Sequence, residues 1–200
     1  ADICAGLETL IDIRSYNKIL SQDETKREIT VQAGVLLVDL IEAVEAKGWC
    51  IPCLPDINTI TVGGALATGT HGTSGHLLSE YVSSCTLVLA DGTLKKVSEG
   101  DELMDALRVS LGVLGVMSTV TFRCEEIYTL HLKEQPEKDG VWLPKIKERL
   151  KKHGFLRILW LPHTGSGYVI IGDKVPENKE VVTNNGPGYL KYRRPASKIL

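Results

Sequence analysis

Alternating apolar and polar residues predict most of the strands in this chain. In the first 130 residues the alternation is weak over 7–13 and clean over 29–33, where it stops at Gly34. Two further runs lie on either side of Asp91-Gly92, a dipeptide typical of a two-residue hairpin turn. The strands expected from these patterns cover residues 7–13, 29–33, 85–90, 93–97 and 116–124.

Three helices are predicted, two from apolar residues three and four positions apart and one from a capping-box pattern. The first covers residues 34–47, and Gly48 can end it in a left-handed conformation. The second covers residues 99–109, and Ser98 with Asp101 resembles a capping box before it. The third covers residues 141–153. The apolar faces expected to be buried are Leu37, Leu40, Ile41 and Val44 in the first helix and Leu143, Ile146 and Leu150 in the third.

A change in the sign of the charge divides the chain near residue 130. Residues 1–130 contain 9 Lys and Arg against 18 Asp and Glu, whereas residues 131–200 contain 14 against 7. We therefore predict two units, 1–130 and 131–200. The second unit has strands expected over 129–133, 155–161 and 168–172, with a turn over 163–167 and a polar stretch from residue 176. The fold class is α+β.

Composition excludes several classes of protein. Hydrophobic residues make up 43% of the chain and charged residues 24%, as in ordinary soluble globular proteins. No run approaches the roughly 18 apolar residues of a membrane span, and the N-terminus lacks the pattern of a signal peptide. The basic second unit has no aromatic interleaving, so no nucleic-acid binding is predicted. These features favour an intracellular protein.

Five cysteines are scattered along the sequence, and we expect all of them to be reduced thiols. Cys50 and Cys53 have the spacing of a redox pair, but they follow a helix instead of opening one. They therefore lack the helix dipole that lowers the pKa of a reactive thiol, and we expect them to be close together and unbridged. No second ligand pair has the spacing of a zinc site, and no metal is predicted.

Residues 59–75 depart from ordinary core patterning. Five of these seventeen residues are Gly, and no Asp, Glu, Lys or Arg occurs between Asp56 and Glu80. Such a segment forms either a glycine-rich surface turn or a site where backbone approaches a ligand, with bare N–H groups and Thr hydroxyls suited to a pyrophosphate. A P-loop would need a Lys, and a Rossmann loop would need Gly-x-Gly-x-x-Gly between strand and helix. Neither motif is present.

Residues 61–65 (Thr-Val-Gly-Gly-Ala) and 67–73 (Ala-Thr-Gly-Thr-His-Gly-Thr) resemble the FAD-binding core of the vanillyl-alcohol oxidase superfamily. Within it, the sequence is most similar to the aldonolactone oxidoreductases, and alditol oxidases share the same core. Residues 54–57, 111–117 and 160–164 resemble further family segments in the same order. The resemblance implies a PCMH-type FAD-binding subdomain over 1–130, joined to the beginning of an α+β cap domain that binds substrate.

The same resemblance implies which residues contact the cofactor, FAD. His71 is either a flavin contact or a histidine satisfied in the core, and His163 belongs either to a structural turn or to the substrate cleft. No residue matches a catalytic acid or base. The residues that match cofactor-binding positions are Thr61, Gly63, Gly64, Thr68, Gly69, Thr70, His71, Gly72, Gly115, Val116 and Met117.

The activity implied is oxidation of a CH–OH group of a sugar-derived lactone, as in ascorbate-type biosynthesis, with electrons passing to O₂ or a cytochrome. Family members carry a flavin loop upstream of the matching segment and a longer cap domain, so the chain resembles a fragment. The alternatives are a non-catalytic remnant and an alditol oxidase that takes an open polyol. The resemblance also implies that the protein could associate with the membrane of the endoplasmic reticulum or the mitochondrion.

Two structural expectations follow for the glycine-rich segment. Residues 59–75 and 111–117 should lie beside each other and form one concave site. Gly72 should be glycine because backbone there approaches the flavin or its pyrophosphate, so that Gly72→Val should give a folded protein without flavin.

Overall fold

The computed structural model describes residues 10–175, in which strands alternate with short helices. Single-turn 3-10 helices occur at Leu78–Tyr81 and Leu143–Lys145. In chain order the other elements are β1 (Ile19–Asp23), β2 (Glu28–Gln32), α1 (Leu37–Glu45), β3 (Trp49–Cys50), α2 (Val62–Ala67), β4 (Val82–Val88), β5 (Leu94–Ser98), α3 (Glu102–Leu107), β6 (Val116–Arg123), β7 (Glu125–Glu126), β8 (Thr129–Lys138), α4 (Asp139–Trp142), α5 (Ile146–Lys152), β9 (Phe155–Leu161) and β10 (Ser166–Val175).

A five-stranded antiparallel sheet, in the order β1-β2-β6-β4-β5, organises the first part of the chain. Its inward-facing residues pack with α1, α2 and α3 into the largest hydrophobic core, which includes the fully buried Ile29, Leu40, Leu66 and Phe122. Strands β3 and β7 form a separate two-stranded pair. The mixed helix and strand architecture confirms the α+β class.

A second sheet begins at Thr129, with three antiparallel strands in the order β8-β10-β9. Trp142 and Ile146 pack with Leu156 and Val169 on one side of it, and a cluster of Leu130, Leu132 and Phe155 forms separately. An ion pair links the second sheet to the loop that precedes α2, since Arg157 Nη2 of β9 lies 2.6 Å from Asp56 Oδ2. In the part of the chain that is described, no helix has both the length and the apolar character needed to span a membrane.

Sequence patterns located α1 and β9 well. All four residues expected on the buried face of α1 are buried, and Gly48 follows the helix with φ +71°. Strand β9 has the predicted bounds, and β2, β4, β5 and β6 overlap their predictions. The β4–β5 connection is one residue longer than expected: Leu89 N–H donates to Thr93 O across a three-residue loop in which Gly92 has φ +82°.

Three predictions for the elements are wrong. The strand expected over 7–13 is absent from its described part, and β1 lies further along the chain at a fully exposed sheet edge where alternation is not required. The capping box is also absent. Glu99 N–H still donates to Ser83 O in the sheet, so α3 begins later, at Glu102, after Asp101 in an extended conformation.

The helix expected over 141–153 is split, because Pro144 lacks an N–H and interrupts the regular helix between α4 and α5. As a result Trp142 is buried, whereas Leu143 and Leu150 of the expected apolar face are exposed. The polar stretch from residue 176, the first part of the 7–13 segment and Cys4 lie outside the described residues.

Candidate functional site

The small-residue helix α2 is docked onto the turn that follows β2 by backbone hydrogen bonds. Val62 N–H donates to Val35 O and Gly63 N–H to Ala33 O, each at 2.8 Å. Thr61 is the N-cap, and its hydroxyl accepts the N–H of Gly64. A side chain on Gly63 would come within 3.3 Å of the Ala33 carbonyl oxygen. The small residues therefore allow close docking, and the interpretation of this part as a solvated turn is wrong.

Beyond α2 the chain turns back on itself. Gly69 has φ +65°, and Thr70 N–H donates to Ala65 O at 3.0 Å. The Thr68 hydroxyl donates to Gly64 O at 2.9 Å. Each of these groups satisfies the backbone of the segment itself, so the turn has a fixed shape before any ligand is present.

The N–H groups expected to be bare are mostly occupied. Besides Thr70, Gly69 donates to Leu66 O and Gly72 donates to Cys53 Sγ. The expectation that residues 59–75 offer bare N–H groups to an anion is therefore wrong for these three residues. These amides already form hydrogen bonds within the protein. The segment therefore offers a ligand its hydroxyl groups and a backbone that can be approached closely.

The segments 59–75 and 111–117 meet, which confirms their predicted adjacency. Leu111 N–H donates to Ala67 O at 2.9 Å, and a side chain on Gly69 would touch Val109 at 3.3 Å. Leu111 has φ +50°, an uncommon conformation for a leucine. Residues 109–113 form a tight turn at this contact, since Val113 N–H donates to Ser110 O.

An exposed surface without formal charge results from this contact. We call it the α2 surface and define it by six of the exposed residues within 59–75 and 109–117: Gly64, Thr68, His71, Val109, Leu111 and Val113. Val113 is 82% exposed and Leu111 56% exposed. Aliphatic side chains left in water next to glycine and threonine are suited to a ligand with a flat apolar part and polar substituents.

His71 lies at the rim of the α2 surface. It is exposed, so the alternative of a satisfied core histidine is wrong. It forms a single β-bridge with Leu77, and its Nδ1 lies 3.2 Å from Gly72 O. Its contact with the flavin stays a prediction.

The other predicted site residues differ in exposure and packing. Gly63 and Met117 are buried in the core, so they shape the site from beneath. Gly115 is required by packing, because a side chain there would lie 2.6 Å from Val88 O and its φ is +142°. Partly exposed positions remain available near the surface: Thr61, Gly69, Thr70, Gly72 and Val116.

His163 lies far along the second sheet, in the exposed turn between β9 and β10 with φ +65°. Its contact with substrate stays a prediction.

Charged groups near the site are paired. Glu80 accepts the Leu77 N–H at 2.8 Å and lies 2.9 Å from His76 Nδ1, and these hydrogen bonds hold the pKa of its carboxyl below the usual range. The Arg123 guanidinium donates to the Glu80 backbone carbonyl. The six residues that define the α2 surface themselves include no Asp, Glu, Lys or Arg.

Sequence reasoning missed one contributor to the site, Cys53. Its thiol is fully buried, accepts the Gly72 N–H at 3.2 Å and donates to His76 O at 3.0 Å. The Cys-x-x-Cys spacing drew attention to this residue, but toward redox chemistry. Cys50 instead donates to Glu126 O, so the two thiols have different partners.

The four described cysteines are free and buried, and burial raises the pKa of Cys50, Cys85 and Cys124 to about 12. We expect a thiol reagent to react only slowly with these four in the native chain, because thiolate and access are both lacking. Titration of the denatured chain without reductant should count five thiols. A count of three would show a disulfide and restore the redox interpretation.

Known proteins resemble this chain in sequence. Residues 3–98 match the family described as FAD binding domain. The chain is 34% identical to L-gulonolactone oxidase of Mus musculus over 184 residues, which cover 90% of the chain and 41% of that relative. It is 30% identical to a putative D-arabinono-1,4-lactone oxidase of Neurospora crassa, covering 82% of the chain and 30% of the relative. The chain thus spans about two fifths or less of the length of these relatives.

Solved structures share the fold. A solvent-stable cholesterol oxidase matches with a TM-score of 0.72 and 22% identity, over 83% of this chain and 36% of that one. Alkyldihydroxyacetonephosphate synthase matches with a TM-score of 0.70 and 16% identity, over 83% of this chain and 38% of that one.

The five-stranded sheet, the docked small-residue helix and the matching segment define an FAD-binding domain of the PCMH type. The family match covers residues 3–98, slightly less than half of the chain, and the solved structures share the fold of this part.

Proposed function

We propose that this chain is the cofactor-binding part of an FAD-dependent aldonolactone oxidoreductase and that FAD binds on the α2 surface. The observation that carries the proposal is the uncharged, exposed surface formed where Leu111 N–H meets Ala67 O. Relatives named L-gulonolactone oxidase and D-arabinono-1,4-lactone oxidase support a sugar-derived lactone as the substrate class.

The residues present fit FAD. Gly64 and Thr68 offer exposed backbone with little bulk, and Leu111 and Val113 offer exposed aliphatic contact to a ring system. The surface carries no carboxylate that would repel a diphosphate. When bound, FAD supplies the redox chemistry, accepting a hydride equivalent from the CH–OH carbon of the lactone and passing electrons to O₂ or a cytochrome.

The chain's own residues position the cofactor. The closed turn at Gly69 and Thr70 presents Thr68 and His71 in fixed places, because the N–H groups of the turn are already hydrogen-bonded. Leu111 and Val113 exclude water from the neighbouring surface when a ring lies on them. Thr61, Gly64, Gly69, Thr70, Gly72 and Val116 complete the proposed contact set, with Gly63, Gly115 and Met117 supporting it.

We propose further that residues 1–130 bind FAD and that a substrate-binding domain begins at residue 131. Support comes from the second sheet, which reaches the glycine-rich segment directly: Leu156 N–H donates to Thr73 O at 3.0 Å. The ion pair between Asp56 and Arg157 lies beside this contact. A substrate held by the second sheet would therefore lie close to the cofactor segment.

Titration of the chain with FAD, followed by quenching of flavin fluorescence, tests the proposal. We expect saturable binding, and we expect Val113→Glu to weaken it by about tenfold or more because a carboxylate would face the diphosphate or remove apolar contact. Leu94→Glu is the matched control, since Leu94 is 71% exposed on β5 outside the α2 surface. The proposal fails if FAD does not bind, or if the two variants bind it equally.

A further inference from the structure

The loop of residues 72–76 is held by contacts from three directions. On one side Gly72 packs so closely on the Leu54 backbone that a Cβ would lie 2.2 Å from Leu54 O. On another side Leu156 N–H of β9 donates to Thr73 O. Beneath the loop lies the Cys53 thiol. The loop begins directly after His71. The position of the loop therefore determines the position of His71 at the rim of the α2 surface.

The Cys53 thiol joins the two ends of this loop. Its sulfur accepts the Gly72 N–H at 3.2 Å and its S–H donates to His76 O at 3.0 Å. A thiol has one weak donor and a weak acceptor, so both of its hydrogen-bonding capacities are used here. Cys53 is 0% exposed, which removes competition from water and leaves no route for a reagent or partner.

We propose that Cys53 is a positioning residue for FAD: its two hydrogen bonds hold the loop of residues 72–76 and thereby fix His71 and Thr70 at the edge of the α2 surface. The inference rests on the proposed function, because the effect on FAD follows only if FAD binds there. Cys53 acts through the loop and touches neither cofactor nor substrate.

The protonation state of the thiol agrees with this role. Burial raises the pKa of Cys53, so the group is a thiol at neutral pH and can donate to the His76 carbonyl. A thiolate would place a negative charge against that carbonyl and lose the donor. Cys50, three residues earlier, has its own partner at Glu126 O and does not contact the loop through any hydrogen bond shown for the described residues.

Three variants of the chain test the proposal. Cys53→Ala removes donor and acceptor, Cys53→Ser keeps both in a smaller side chain, and Cys50→Ala is the matched control from the same motif with similar burial. Two quantities are measured for each: the dissociation constant for FAD and the exchange rate of the Gly72 amide hydrogen by NMR. Urea unfolding shows that each variant is folded.

We expect Cys53→Ala to weaken FAD binding by about tenfold and to speed Gly72 exchange by a similar factor, since one buried hydrogen bond at each loop end is lost. Cys53→Ser should stay within about threefold of the parent in both measurements, and Cys50→Ala should leave both unchanged. A merely structural role would lower stability in both alanine variants without separating their FAD affinities.

The amide exchange distinguishes the two proposals. If the parent chain does not bind FAD but Gly72 exchange speeds up only in Cys53→Ala, the loop contact stands while the proposed function and the cofactor role of Cys53 both fail. If FAD binds and Cys53→Ala retains the parent affinity, the positioning role alone is overturned. Equal weakening by Cys53→Ala and Cys50→Ala would also overturn it.

Discussion

Gly72→Ala will lower the free energy of unfolding by about 3 kcal/mol, although it adds only one methyl group. The atoms this methyl would meet belong to the Leu54 backbone, with O at 2.2 Å and N at 3.1 Å, and backbone cannot rotate away as a side chain can. The hydrogen bond from Gly72 N–H to Cys53 Sγ would have to lengthen or break. Urea denaturation of parent and variant, followed by circular dichroism, measures the loss.

Gly140→Ala is the control for adding a methyl group to a glycine. No atom lies within 4 Å of a Cβ built at Gly140, its φ is ordinary, and it lies within α4. This variant should be neutral or more stable by up to about 1 kcal/mol, because alanine favours helix over glycine. Parent-like stability of Gly72→Ala would contradict the close approach to Leu54.

The same contact corrects the sequence-based expectation for Gly72. Glycine there was attributed to approach of the flavin, and Gly72→Val was expected to give a folded protein without flavin. The Leu54 carbonyl lies where the side chain would go, so valine disturbs the fold itself. Loss of flavin from Gly72→Val would therefore say nothing about the cofactor, and a surface position such as Val113 is the informative one.

Sequence patterns predicted helices and strands best where one face of the element is buried and the other is exposed to solvent. Helix α1 is the clearest case, because Leu37, Leu40, Ile41 and Val44 repeat at helical spacing and all lie in the core. Strand β1 shows the opposite case. Every residue in it is exposed at the sheet edge, so burial imposes no alternation and its pattern carries no signal.

The site was predicted in outline and missed in its contacts. An uncharged, glycine-rich segment and a short family motif indicated residues 59–75 and 111–117, since both are local features of sequence, but the helix α2 was not predicted. That Gly72 donates to Cys53 and that Leu156 meets Thr73 depends on tertiary folding across many residues. Local patterns cannot show which N–H groups of a loop are already occupied.

Between α5 and the second sheet, Arg149 and Glu137 form an ion pair that is nearly free of water. Arg149 Nη2 lies 2.9 and 3.0 Å from the two carboxylate oxygens, and the side chains are 12% and 7% exposed. Gln135 also donates to the carboxylate. Burial acts to raise the pKa of Glu137, but the hydrogen bonds from Arg149 and Gln135 outweigh it and the pKa is lowered.

Arg149→Met should lower the free energy of unfolding by about 3 kcal/mol at neutral pH, because Glu137 is left buried without its cation. The deficit should depend on pH. In the parent, the lowered pKa gives a stabilisation that is present above the unfolded pKa of Glu and lost as pH falls through the folded pKa. In the variant, burial raises the pKa of Glu137, so the carboxyl takes up a proton on folding and the variant gains stability as pH falls toward the unfolded pKa. The difference between the two proteins should therefore be largest near neutrality and shrink toward about pH 5.

Adding Glu137→Gln to Arg149→Met removes the buried charge. The double variant should recover much of the loss, and its pH dependence should disappear. Urea unfolding of all three proteins across this range decides the matter: an equal deficit at both ends would mean that Arg149 stabilises the sheet through packing of its aliphatic stem rather than through its charge.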